Sequence, residues 1–200
     1  RFDDGVPDVT GLAIVTSSSA NEDSQESERL RGGVFTHQLV TGLRGAADAS
    51  GDGRVGLSEA YRYAYAQTLV VTAGSEIEQH PTFAFDLRGQ DDLVVTRLDL
   101  GAAVGQLELN GEGRWLIFER FAERRLVAEV DGDAFRLALP PGPYLVRRTS
   151  GSSAAERTVL IGPGATVAIA SVDLALVPFR HAVRKGYGQA ERAAWSLGLT

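Results

Sequence analysis

After about residue 100 the chain repeats one pattern, short segments of alternating apolar and polar residues with Gly, Asp or Pro in nearly every gap. QLEL, RWLIFE, RLVAEV, AFRLAL, PYLVRR, RTVLIG and TVAIAS follow one another, with NGEG, DGD, PPGP and GPG in the gaps. A period of two puts successive side chains on opposite faces of a strand, and no helical period lies between the segments. The spacing predicts a small antiparallel β-sandwich over 99–175. The basic tail, 176–200, is expected to be partly helical around QAERAAWSLG.

The first hundred residues read differently. GLAIVTS is a short apolar run, suited to a strand buried on both faces. The polar stretch SSANEDSQESERLRGG is longer than a usual connection, and loops of that length tend to be functional or disordered. Phe35, Leu39 and Leu43 then recur every four residues, the stripe of an amphipathic helix. Leu57, Tyr61, Ala64 and Thr68 carry a second helical stripe. QHPTFAFDL and DDLVVTRL close the unit, the latter as a strand.

Charge and composition narrow the function classes. A formal charge of -6 argues against a general nucleic-acid or anionic-membrane surface. No stretch approaches the roughly 20 apolar residues of a membrane span, and RFDDGVPDVT has no apolar centre for a signal peptide. The chain has no cysteine, hence no disulfide, thiolate metal site or cysteine nucleophile, and the expected compartment is the cytoplasm. It has no methionine either, so Arg1 is no native start and the chain is expected to be a piece of a longer protein. His37, on the helix face opposite Phe35 and Leu39, and His80, in a Gln-His-Pro turn, read as structural. His181 carries no assigned role, and three scattered histidines make no metal site.

Residues 48–59, DASGDGRVGLSE, carry the spacing of a twelve-residue calcium loop. Asp48, Ser50, Asp52 and Glu59 take the first, third, fifth and twelfth positions, and Arg54 offers its backbone carbonyl from the seventh. Gly53 stands at the sharp turn and Val55 at the inward eighth position. Three carboxylates and a hydroxyl, in a loop without a paired second loop, imply weak calcium binding, a staple more than a switch. The alternative is a helix connection in which Asp48 and Asp52 only satisfy local amides.

The order of buried strand, acidic Ser-rich loop, GGVFTHQLVTGL helix, second helix and QHP…LVVT resembles the small-subunit half of a caspase-like cysteine peptidase. The wording SSSANEDSQES…FTHQLVTGLRGAAD resembles bacterial caspase and metacaspase homologues. The resemblance covers 1–98 and implies an α/β caspase-like fold, with its core strand at 13–17, pocket loop at 21–31, helix at 33–43, and last strand at 93–96 after the Gln79–Pro81 step.

It further implies a thiolate nucleophile activated by a histidine, both carried by a large catalytic subunit and neither by this chain. The chain would supply the substrate pocket for a protein substrate. Animal caspases bind aspartate there with arginine, whereas this loop holds Glu22, Asp23, Glu26 and Glu28, which favours arginine or lysine. The run 23–27 resembles the Asp-x-Gln-x-Ser of metacaspases, which marks Asp23 first, with Ser24, Gln25 and Glu26, as substrate-binding residues. A solvated acidic loop without a substrate role is the alternative. The role implied is regulated proteolysis such as cell death or defence. A non-catalytic, calcium-stabilised binding or scaffold module on a degenerate peptidase fold is the competing function. LPPGPYLVRR resembles the turn of transthyretin-like accessory domains.

Overall fold

A computed structural model describes residues 10–20, 24–27, 30–73, 79–88, 92–98, 101–120 and 124–177. These are mostly β-sheet with two α-helices. In chain order, β1 (Thr10–Thr16) leads to the short β2 (Glu26–Ser27) and β3 (Gly32–Gly33), helix α1 (Val34–Thr41) and a π-helical turn (Gly42–Ala46). Then come β4 (Arg54–Gly56), α2 (Leu57–Thr72), β5 (Thr82–Arg88) and β6 (Val94–Arg97). The second half holds β7 (Gly105–Glu119), β8 (Leu126–Leu139), β9 (Gly142–Ser150), β10 (Ser153–Ile161), β11 (Thr166–Ala170) and β12 (Ala175–Val177).

β1 and β5 form a two-stranded antiparallel sheet with Ala13 opposite Phe85. The face bearing Ala13, Val15, Phe83 and Phe85 meets α2, where the Tyr61 ring lies 4.5 Å from Phe83 and 6.3 Å from Phe85. The opposite face is open, with Leu12 60% and Ile14 49% exposed. The expectation of a strand buried on both faces is therefore corrected, because among the described residues β1 has one neighbouring strand and only one face that meets a helix. The closing strand moves too. The strand that follows Gln79 and pairs with β1 is β5, whereas the segment 93–96 contributes β6, which pairs with β4.

Helix α2 buries Ala60, Tyr61, Ala64, Thr68 and Thr72, so three of the four predicted stripe residues face inward. Its first turn is closed by carboxylates. Gly56 N–H donates to Glu59 Oε2 at 3.1 Å, and Ser58 N–H donates to Asp92 Oδ2 at 3.0 Å. Acidic groups at a helix N-terminus satisfy its orphan donors and complement its dipole. Asp92 comes so close that a Cβ on Gly56 would stand 2.2 Å from its Oδ2. α1 packs on α2 and buries Val34, Phe35, Gln38 and Thr41.

The second half is one sheet in the order β11-β7-β9-β10-β12, with β8 also on β7. β7 reaches three neighbours because it is bent. It pairs with β8 along its length, with β11 over 106–110, and with β9 over 114–119. Gly113 faces Gly132 at a register shift in the β7–β8 ladder. NGEG and DGD, expected as gaps between strands, are thus bends within two long ones, because facing glycines let a paired hairpin curve without breaking. β11 runs parallel to β7, a departure from the all-antiparallel expectation. Leu107, Leu109, Trp115, Ile117, Leu137, Leu139 and Ile169 are completely buried in one core.

A second cluster joins the two halves, with Ala47, Val55, Ala60 and Leu98 packing on Ala138 of β8. The π-helical turn sits against the same strand. Gly45 adopts φ +123, and a Cβ there would lie 2.3 Å from the Arg136 carbonyl oxygen. Among the described residues no helix is long and apolar enough to cross a membrane. The tail expected to be partly helical begins with the end of β12, and its residues 178–200 lie outside the described residues.

Candidate functional site

The loop predicted to form the pocket leaves the C-terminal end of β1 and returns through the β2–β3 hairpin into α1. In that hairpin Glu26 pairs with Gly33 and Ser27 with Gly32. Leu30 N–H donates to Ser27 O at 3.0 Å, and Val34 N–H donates to Gln25 O at 3.0 Å, so the loop's last turn feeds directly into the helix. Ser24 is exposed, and its hydroxyl meets that of Ser17 and, at 3.2 Å, that of Ser18. Glu26 is exposed and Gln25 half-buried. Asp23, the residue ranked first from sequence, lies outside the described residues, as do Glu22, Glu28 and Arg29.

Sequence reasoning passed over the residue that holds this loop in place. Gln79 is completely buried and bridges three elements. Its Nε2 donates to Ser17 O at 2.6 Å, its Oε1 accepts from Gln25 N–H at 3.0 Å, and its own N–H donates to Thr72 Oγ1 at 3.2 Å. One side chain therefore ties the end of β1 and the pocket loop together, while its backbone is fastened to the end of α2. Beside it Tyr61 Oη donates to Pro81 O at 2.9 Å. The Gln-His-Pro turn is fixed by its glutamine and by Tyr61. The surrounding step, GSEIEQHP, is mostly polar, so no contrast with its neighbours singled the glutamine out. His80 and His37 are both half-buried.

Among the described residues this region offers a rim of hydroxyls and the exposed carboxylate of Glu26 on a braced loop. These 200 residues hold no cysteine, so any thiolate would have to come from outside them.

The acidic loop is also brought together. Asp48 Oδ1 accepts from Gly51 N–H at 2.8 Å and Asp52 N–H at 3.2 Å, and its Oδ2 accepts from Gly53 N–H at 3.0 Å. Ser50 Oγ lies 3.3 Å from Asp48 Oδ1, and Asp52 Oδ1 accepts from Arg54 N–H at 2.8 Å. Gly53 takes the left-handed conformation, φ +77, that the sixth position requires. Glu59 reaches back to Gly56 and, at 3.4 Å, to Ser50 N–H.

The donor set is the hard oxygen type that suits calcium. In the conformation described, its carboxylates close on loop amides, the arrangement of the competing reading. Among the described residues no three His, Cys, Asp or Glu side chains are placed to hold an ion. The strand at the seventh to ninth positions is not alone, however. β4 pairs with β6, Leu98 N–H donates to Gly53 O at 2.8 Å, and Val55 is completely buried.

No family model, curated protein or solved structure matches this chain.

Proposed function

We propose that the chain is the pocket-bearing half of a caspase-like cysteine endopeptidase that cleaves proteins after arginine or lysine in regulated proteolysis. The carrying observation is the two-stranded β1–β5 sheet, which has α2 on one face and exposed Leu12 and Ile14 on the other. Isolated two-stranded sheets are marginal in water, and an apolar open face calls for further strands or helices. A large catalytic subunit carrying the histidine and cysteine would extend this sheet and cover that face. It would bring the thiolate to the loop that leaves β1, the loop Gln79 braces. The carboxylates of that loop, Asp23 and Glu26 among them, would pair with the guanidinium or ammonium of the cleaved residue.

Calcium at Asp48, Ser50, Asp52, the Arg54 carbonyl and Glu59 belongs to the same proposal as a conditional staple on the first half. The test is reconstitution with the subunit carrying His and Cys, followed by cleavage of fluorogenic peptides. Turnover after arginine and lysine, lost on Asp23→Ala, is expected. A preference for aspartate at the cleaved position refutes the pocket assignment, and absence of any complex with that subunit refutes the peptidase reading.

A further inference from the structure

Between the β2–β3 hairpin, α1 and the start of β8 lies a cleft of about 480 Å³. Its walls carry Arg31, Arg44 and Arg125 with His37, and apolar Val40 and Leu126. No carboxylate is among its described lining residues. Arg44 is held in place by donating from its guanidinium to Val127 O, and Arg125 by an ion pair with Glu119 at 2.8 Å. Arg31 and His37 likewise hold partners within the chain. A guanidinium has five N–H donors, so a single contact does not exhaust it.

Burial lowers the Arg44 pKa from its ordinary value, and repulsion from Arg125 lowers it further, against weaker opposing effects of Tyr144 and Glu119. An anion seated between the two arginines would relieve that repulsion. Arg31 adds a second sign of function. It holds φ +54 beside Gly32, a backbone conformation that costs a non-glycine residue energy and that clusters at binding sites.

The cleft is far larger than one inorganic oxyanion and falls in the roughly 300–1,000 Å³ range of pockets that take multi-group ligands. Aliphatic Val40 beside three guanidiniums suits a chain that carries both carboxylates and apolar side chains. We propose that this cleft binds an acidic peptide segment, with carboxylates on Arg31, Arg44 and Arg125 and an aliphatic side chain on Val40. No Phe, Tyr or Trp is among the described lining residues to stack a base, which favours a peptide over a nucleic acid. The proposal is independent of the peptidase reading, since it needs neither a second subunit nor turnover.

The test is fluorescence anisotropy on the 200-residue chain with a labelled peptide alternating glutamate and leucine. A lysine–leucine peptide and a single-stranded oligonucleotide serve as comparisons. The glutamate peptide is expected to bind and the lysine peptide not to bind. Arg31→Ala and Arg125→Ala should each weaken binding about tenfold, the usual loss for a charge-assisted hydrogen bond. The double variant should weaken it further. Arg44 is left intact because its bond to Val127 also holds the fold, and circular-dichroism melts confirm that the variants are folded. No glutamate-peptide binding up to about 1 mM, the weak end of specific recognition, overturns the proposal. So does a double variant that binds as well as wild type, or an oligonucleotide that binds more tightly through the same arginines.

Discussion

Leucine in place of Gln79 keeps most of the side chain's volume and removes both of its polar atoms. The Gln25 N–H loses its acceptor at 3.0 Å and the Ser17 carbonyl loses its donor at 2.6 Å. Each orphaned group costs about 1–3 kcal/mol where water cannot reach it. Both bonds are partly buried, so the lower half of that range applies, about 2–4 kcal/mol for the pair. In a chain of this size each kcal/mol moves the Tm by about 2–4 °C, which predicts a fall of roughly 5–15 °C. Hydrogen exchange localises the effect. The Gln25 amide should exchange much faster in Gln79→Leu, whereas amides of the β7–β8 ladder should keep their protection. A Tm within about 2 °C of wild type, with Gln25 still protected, would refute the bracing role.

Calcium should raise the Tm by an amount equivalent to about 2.7 kcal/mol at a hundredfold excess over Kd, and magnesium should substitute poorly. Glu59→Gln should lose that response yet melt like wild type in chelator, because glutamine still caps the Gly56 amide. Superimposed wild-type melts with calcium and chelator would leave the loop as a turn closed on its own amides. The Tyr63 hydroxyl is buried without a hydrogen-bond partner among the described residues, and burial, with a smaller contribution from Glu129, pushes its pKa up. The unfolded phenol titrates near about 10, so Tyr63 contributes stability below that pH that declines as pH rises above it, where the folded state holds the extra proton. Tyr63→Phe should flatten this alkaline decline in denaturation curves and be neutral or slightly stabilising at pH 7. Gly45→Ala should cost at least about 2 kcal/mol, from the positive φ and the clash with the Arg136 carbonyl, read as a fall in denaturation midpoint.

The elements with strong periodicity were legible. The α2 stripe, the positions of β9, β10 and β11, and the turn at Gly53 all follow from side-chain alternation or from a glycine that only one backbone conformation explains. Two things were not. GLAIVTS has the composition of a doubly covered strand, but composition reports what a segment could bury and not which neighbours are present to bury it. NGEG and DGD look like turns because glycine permits both a turn and a bend, and only their pairing across β7 and β8 decides between them. In the candidate site, the loop was visible through its length and charge. Gln79 was not, since its importance lies in reaching three chain segments, with Ser17 and Gln25 more than fifty residues away.

Leu98, 1% exposed, packs on Ala138, and its carbonyl accepts from Gln106 Nε2 at 3.3 Å. A recombination breakpoint near residue 99, where the composition changes, would cut through that contact and leave Val55, Ala60 and Leu98 facing solvent. The β-rich half is therefore not a cassette that could be exchanged between relatives without compensating changes in the helical half. Heritable variation should instead accumulate around the 151–152 turn between β9 and β10, where Ser150 to Ser153 are exposed. Insertions there would leave the shared core untouched, so lineages of this protein should differ in length at that turn and agree in length across 98–106.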